Sequence, residues 1–261
     1  MQITGTTKVF PIIGGPISGV VSPPAINAWL KEHAIDARMF PLNIPSSTIG
    51  SFWELLRVSD TFLGCSVTYP HKQSAFEEAD KHTERAARLG ALNTLRRERD
   101  GTLCGDATDG LALVRAIADK SVCLKGKSVH IIGAGGGAGR AIIDAFCEAG
   151  IVQLSIEDED KARREETVLM IKQYWPSLLI SKDQDTNILV DATPNGKIDG
   201  APSLFTDQAI MNSEMVCDIA GVQGSSALLT RAEQMGKITV DATEMGRGQV
   251  QAQMNFLFCG V

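Results

Sequence analysis

Apolar and polar positions alternate in two rhythms along this 261-residue chain. From residue 109 onward, short apolar runs take turns with amphipathic stretches. Leu111, Val114, Arg115 and Ala118 fall at helical spacing and predict a helix beginning at Gly110, with Asp109 as its N-cap. Strands are predicted at 128–132, 151–156, 188–191, 215–218 and 238–241, and helices at 138–149, 160–174 and 244–258. Strands alternating with helices argue for a parallel sheet covered on both faces.

The N-terminal third has a looser version of the same rhythm. Residues 8–13 form a β-rich run stopped by Gly14-Gly15-Pro16. Ser22-Pro23-Pro24 predicts a helix start, with Ser22 as N-cap and proline in the first turn, and Ile26, Trp29 and Leu30 share one face of that helix. A strand follows at 62–67 and a charge-rich helix at 75–88. Residues 91–97 and 102–104 flank Asp100-Gly101, a hairpin signal. There are no internal repeats and no low-complexity linker.

Composition narrows the class. The charged fraction is 21% and the formal net charge −6, which argues against nucleic-acid or anionic-membrane partners, since both reward clustered Lys and Arg. No apolar run reaches the roughly 18 residues of a membrane span, and MQITGTTKVFPII lacks the pattern of a secretory signal, so a cytoplasmic location is expected. Six cysteines at 65, 104, 123, 147, 217 and 259 show no zinc-type spacing and read as reduced thiols, with no metal expected.

Gly133-Ala134-Gly135-Gly136-Gly137-Ala138-Gly139 lies between an apolar strand and a helix. Glycines there permit a tight turn and close approach of backbone N–H groups to a pyrophosphate, which then faces the helix N-terminus. The context predicts a Rossmann-type dinucleotide site. The next strand ends at Glu157-Asp158, where a carboxylate can accept hydrogen bonds from the ribose hydroxyls of NAD and would repel the 2′-phosphate of NADP. NAD is therefore expected over NADP. The same acids could instead serve only the dipole of the following helix. Thr193-Pro194, after the strand at 188–191, lies at the sheet edge where the nicotinamide half would run.

Four further segments are Gly64-Cys65-Ser66-Val67-Thr68-Tyr69-Pro70-His71-Lys72, Gly90-Ala91-Leu92-Asn93-Thr94, Gly105-Asp106-Ala107-Thr108-Asp109-Gly110, and Asp241 with Met245 and Gln249. In this order they resemble the G-x-N-V-T-x-P-x-K, G-A-x-N-T, G-x-N-T-D-G and D-G-x-x-M-x-x-x-Q motifs of the shikimate/quinate dehydrogenase family. The resemblance spans nearly the whole chain. It implies an α/β fold with an N-terminal α/β substrate domain (1–108 with 243–261) and a Rossmann domain (109–242), the C-terminal helix returning to the first domain. It implies Lys72 and Asp109 as the catalytic pair, and Ser22, Ser66, Thr68, Asn93 and Gln249 as substrate contacts. It places Gly133, Ala134, Gly135, Gly136, Gly137, Ala138, Glu157, Asp158, Thr193, Pro194 and Ile219 around the cofactor. The implied reaction is hydride exchange between NAD(P) and a cyclic hydroxy acid of the 3-dehydroshikimate/shikimate type. A lysine in a cleft can carry the alcohol proton, and an adjacent aspartate can orient it. Each residue also has a plainer role open to it: Lys72 as a surface lysine, Asp109 and Ser22 as helix caps, Asn93 in a turn, Thr68 in a strand, Gln249 on an exposed helix face.

Four positions depart from the family pattern. The first Ser of its S-x-S-P segment is Val20, the Asn of the lysine motif is Ser66, the Asn of G-x-N-T-D-G is Ala107, and the Tyr after Asp218-Ile219-Ala220 is Gly221. A site built to hydrogen-bond its substrate loses discrimination when such groups go. The alternatives are a relative acting on a different small alcohol and a non-catalytic dinucleotide-binding regulatory module. Whether two copies pair as a homodimer is left open by the sequence.

Overall fold

The computed structural model describes residues 2–183, 186–198, 200–221 and 226–258. The chain divides into two compact units, Met1–Thr108 with Val250–Val261, and Asp109–Gln249.

The first unit runs β1 (Lys8–Val9), β2 (Ile12–Gly14), α1 (Ser22–Glu32), β3 (Ala37–Arg38), β4 (Pro41–Asn43), α2 (Ile49–Val58), β5 (Gly64–Val67), α3 (Lys72–Glu78), β6 (Lys81–His82), α4 (Glu84–Leu89), β7 (Thr94–Arg97) and β8 (Leu103–Asp106). A six-stranded sheet has the order β4-β2-β5-β7-β8-β6. Only β7 runs against its neighbours, because the Asp100-Gly101 turn returns β8 beside it. Strand alternation splits the sheet between two cores. Ile13, Cys65, Val67 and Leu95 face a cluster with Trp53 and Leu56 of α2. Ile12 faces a second cluster with Ile26 and Leu30 of α1, completed by Val250, Met254 and Leu257 from the end of the chain. That alternation leaves Ser66 and Thr94, which are buried, to point away from the first cluster.

Two expectations are corrected here. The charge-rich stretch 75–88 is two helices separated by β6. Lys81 and His82 pair with Cys104 and Gly105, the Asp80 carboxylate accepts Leu103 N at 2.7 Å, and Thr83 caps α4 through Ala86 N. Two side-chain acceptors and a strand partner outweigh the helical charge period. Ser22 does not cap α1, which it opens; Val21 occupies the N-cap position without a side-chain bond. Pro23 and Pro24 have no N–H for a capping hydroxyl to accept, and Ser22 Oγ is buried without a hydrogen-bond partner.

The second unit runs α5 (Asp109–Asp119), β9 (Ser128–Ile132), α6 (Gly137–Glu148), β10 (Gln153–Glu157), α7 (Lys161–Tyr174), β11 (Leu179–Ser181), β12 (Ile188–Asp191), α8 (Asp207–Asn212), β13 (Met215–Asp218), α9 (Ala227–Gln234) and β14 (Ile238–Val240). Its six strands, all parallel, have the order β11-β10-β9-β12-β13-β14. The order reverses direction between β9 and β12, the place where ligands bind in such sheets. The last helix, α10 (Ala242–Phe258), passes from the second unit to the first between Gln249 and Val250. Asp109 is the first residue of α5, an acid where the helix dipole favours one. Five cysteines are unpaired, and burial pushes the thiols of Cys65 and Cys217 up; Cys259 lies outside the described residues.

Close helix contacts depend on absent side chains. A Cβ on Gly110 of α5 would lie 2.0 Å from the carbonyl oxygen of Ala141 in α6, whereas one on Gly246 of α10 meets nothing within 4 Å. Gly110→Ala is therefore expected to cost about 1–3 kcal/mol, read as a lower melting temperature. Gly246→Ala should raise stability by up to about 1 kcal/mol through helix propensity. Equal melting curves for the two variants would contradict this packing.

Candidate active site

In the second unit the glycine loop is held by the end of β10. Gly133 N and Ala134 N donate to Glu157 O at 2.9 and 3.0 Å, and Gly135 N donates to Asp158 Oδ2 at 2.8 Å. Gly133 has φ +84°, and a Cβ there would press on Ala192. A Cβ on Gly139 would lie 2.2 Å from Gly133 O, so the loop and α6 close on each other only with glycine at that position. Gly136 is the N-cap of α6. No side chain caps this helix and its first turn holds no acid. The amides of Gly137 and Ala138 therefore form a positive, anion-ready end of a twelve-residue helix.

The two acids after β10 have separate roles. Asp158 is almost fully buried, and its carboxylate serves Gly135 N, Asp160 N and Arg163. Glu157 keeps a side chain 45% exposed, with one oxygen 3.0 Å from His130 Nε2. A carboxylate only accepts, so Nε2 carries the proton of the neutral imidazole, and Nδ1 is a bare lone pair, buried without a partner. Burial lowers the His130 pKa, with Glu157 opposing that shift. Arg163, in the first turn of α7, lies 3.3 Å from Asp158, 3.8 Å from Glu159 and 3.3 Å from Asp160. The nearest cation to the acidic turn is thus shared among three carboxylates.

Across the sheet edge, Thr193 N and Oγ1 both donate to Asp191 Oδ1, at 2.8 and 2.7 Å, and Pro194 opens a short 3₁₀ turn. Ile219 N donates to Asp191 O. Asp218 Oδ1 accepts from Ala220 N and Gly221 N, while Oδ2 is buried without a partner. Asp191 and Asp218 are register partners on adjacent strands, both buried. Burial raises the Asp191 pKa, and the neighbouring Asp218 adds to that rise.

In the first unit, the polar candidates gather at the carboxyl end of β5. Thr68 N donates to Ile13 O at 2.9 Å. Lys72 opens α3, and its carbonyl accepts Leu92 N at 3.1 Å, which sets it beside Asn93 in the backbone network. Asn93 is buried, with Oδ1 accepting Thr108 N at 2.7 Å and Thr108 Oγ1 at 3.1 Å. Val20 packs into the apolar cluster around Ile12 and Ile26. Gln249 lies on α10 within the second unit.

Sequence reasoning did not single out Gln253, His130, Asp191 or Asp218. Gln253 stands one turn after Gln249, and its Nε2 donates to Ser66 Oγ and Thr94 Oγ1. A polar residue four positions along a helix was the available signal. His130 is the one buried polar side chain of β9, and the two aspartates each close an apolar run.

Known proteins provide a comparison for this geometry. The family model for the shikimate dehydrogenase substrate binding domain matches residues 12–95. A shikimate dehydrogenase (NADP(+)) of Rhodospirillum rubrum is 32% identical over 254 residues, covering 94% of this chain and 89% of its own length. The ligand-free 5-ketofructose reductase of Gluconobacter sp. strain CHM43 shares the fold, with TM-score 0.89, 21% identity, and coverage of 97% of this chain and 93% of its own. Shikimate 5-dehydrogenase from Listeria monocytogenes, solved with shikimate and NAD, has TM-score 0.86, 24% identity, and coverage of 98% and 94%. The structural likenesses speak to the fold, and the sequence identity across nearly the full length speaks to descent: the chain belongs to the shikimate dehydrogenase family.

Proposed function

We propose that this shikimate dehydrogenase-like, NAD(P)-dependent oxidoreductase prefers NAD and acts on the ring hydroxyl of a cyclic hydroxy acid of the shikimate/quinate type. The observation that carries the cofactor reading is the half-exposed Glu157 carboxylate at the end of β10, with Arg163 already paired to three acids. The uncapped start of α6 and the crowding a Cβ would meet at Gly133 and Gly139 fit a pyrophosphate. When bound, the dinucleotide supplies the hydride acceptor for oxidation and the donor for reduction. Thr193, Pro194 and Ile219 then flank its nicotinamide half.

In the first unit, Asn93, Thr68, Ser22 and Ser66 offer uncharged hydrogen-bonding groups to ring oxygens; Gln249, which belongs to the second unit, is the remaining proposed contact. Lys72 takes the O–H proton as the carbinol C–H bond breaks, and returns it on reduction. Asp109 is the second ionisable member of the pair. The domain assignment follows the division of labour, with the alcohol on 1–108 and the C-terminal segment, and the dinucleotide on the glycine-loop unit.

A second reading, an uncharged polyol or ketose as substrate, is favoured by Val20. Its side chain packs into an apolar cluster where the family has a carboxylate-binding hydroxyl. A missing bond to a charged group costs about 1.5–3 kcal/mol. NAD reduction measured against shikimate, quinate and uncharged cyclic polyols separates the readings. Turnover of the acids supports the first, and turnover of the neutral polyols alone supports the second.

Three outcomes are expected. Lys72→Ala should lower kcat by about 10²–10⁴-fold while the NADH dissociation constant stays within about twofold; near-normal turnover would require another proton carrier. NADH should bind at least about tenfold more tightly than NADPH, since like charges about 5 Å apart at an effective dielectric near 20 cost about 3 kcal/mol before screening. Equal titration curves, or tighter NADPH, would overturn the Glu157 assignment. The third concerns His130, whose folded pKa lies below its unfolded value because burial disfavours the charged ring. The unfolded chain takes up the proton first, so stability is full above about pH 6.5 and falls as pH drops below it. Melting temperatures from pH 7.5 to 5 should fall more steeply for the wild type than for His130→Gln, and parallel curves would contradict this.

A further inference from the structure

Two loops flank the nicotinamide half in the proposed function, and each starts from a buried aspartate. Asp191 ends β12, and its Oδ1 accepts Thr193 N at 2.8 Å and Thr193 Oγ1 at 2.7 Å. Asp218 ends β13, and its Oδ1 accepts Ala220 N and Gly221 N, both at 3.1 Å. The strands are parallel and place Asp191 in register with Asp218. Both side chains therefore leave the same face of the sheet, from strands about 4.8 Å apart. Each residue is 1% exposed. The turn after β12 also rests on the acid of β13, since a Cβ on Gly196 would lie 2.5 Å from both Asp218 oxygens. The two acids thus form one support under both loops.

No positive charge compensates this support. Among the described residues, both carboxylates bond uncharged donors only, and Asp218 Oδ2 is buried with no donor at all. The surrounding groups leave that balance as it is. Lys197, in the turn, is exposed. Ile132, the partner of Asp191 on β9, is apolar. Asp241, after β14, is a third acid and accepts Glu244 N at 2.7 Å, while Glu244 pairs with Lys120. The Cys217 thiol is pushed up by burial, with Glu244 and Asp218 adding to the rise, so it stays neutral. Two neighbouring buried carboxylates resist ionising together, and they titrate as a unit. Burial raises the Asp191 pKa and the Asp218 charge adds to it, against the Thr193 bonds, which lower it. A protonated carboxyl keeps one oxygen to accept from Thr193 and offers an O–H, the donor that Asp218 Oδ2 lacks.

We infer that Asp191 and Asp218 are positioning residues for the two nicotinamide-side loops, and that they do this work as a pair holding one proton at neutral pH. The inference rests on the reading of this sheet edge as the place of the nicotinamide half. Neither acid touches the reacting atoms. When the proton leaves, two like charges stand under the turns that begin at Thr193 and Ile219, and the loops lose their fixed geometry. Dinucleotide affinity therefore falls as pH rises through the titration of the pair.

The test uses the full chain, with Asp191→Ala, which removes the acceptor for Thr193 and the proton together, and Asp191→Asn, whose amide imitates the protonated acid. The side-chain carboxyl resonances of ¹³C-labelled aspartate, assigned from their loss in Asp191→Asn and Asp218→Asn, count the protons on the pair. NADH titration across pH and melting temperature complete the set. We expect one proton on the pair at pH 7. Asp191→Ala should weaken NADH binding about tenfold, the loss of roughly one hydrogen bond, and Asp191→Asn should restore it to within about twofold of the wild type. Wild-type affinity should fall about tenfold over the pH range in which the resonances show the pair ionising, and Asp191→Asn, with no proton to lose, should stay level there. Two ionised carboxylates at pH 7 overturn the inference. So do Asp191→Asn binding as poorly as Asp191→Ala, equal pH slopes for Asp191→Asn and the wild type over that range, and a lower melting temperature of Asp191→Ala with NADH affinity unchanged, the mark of a purely structural role. If the wild type binds no nicotinamide dinucleotide, the proposed function fails separately, and the carboxyl resonances alone decide whether the pair holds a proton.

Discussion

Three consecutive amides, on Gly133, Ala134 and Gly135, all donate to two consecutive residues at the end of β10, and the second unit is arranged around that contact. Buried backbone donors left without acceptors would each cost about 1–3 kcal/mol, so the loop needs the Glu157 carbonyl and the Asp158 carboxylate. Once Asp158 is committed to the loop, Glu157 is the acid with an exposed carboxylate. Arg163 is drawn to Asp158 and its neighbours, so this positive charge beside the acidic turn is already paired. The turn of the loop also leaves the first amides of α6 without a side-chain cap. The uncapped first amides of α6 and the exposed Glu157 carboxylate thus follow from one set of backbone bonds.

The first unit meets the same requirement with side chains. Strand alternation in β5 and β7 sends Ser66 and Thr94 to the face away from the α2 cluster, where an apolar helix would have stranded two hydroxyls. Gln253 on α10 supplies donors to both. The polar layer is therefore part of the scaffold and at the same time the floor on which Asn93 stands. Ser22 shows the opposite case: two prolines deprive its hydroxyl of a capping role, and it remains a buried polar group without a partner beside the apolar Val20.

Much of this was legible in the sequence because it rests on local rules. The parallel strands at 188–191 and 215–218, the Asp100-Gly101 hairpin and the glycine loop each follow from periodicity or turn chemistry within a few residues. What was not legible depended on partners far along the chain. The break at β6 is set by Leu103 and Arg57 acting on Asp80, neither visible in a local window. The different fates of Glu157 and Asp158 are decided by His130 and Gly135. Gln253 looked like any polar residue on a helix, since its two partners lie more than 150 positions away.

The central claim is that the chain moves hydride from the ring carbinol carbon of a cyclic hydroxy acid to a nicotinamide. It is tested most directly by incubating the full chain with NAD and shikimate or quinate carrying deuterium on the ring carbinol carbon, and examining the reduced nucleotide by proton NMR. The account predicts one deuterium at the nicotinamide C4 position, on a single face of the ring. Reduced nucleotide without deuterium, or none formed from either acid, would contradict it.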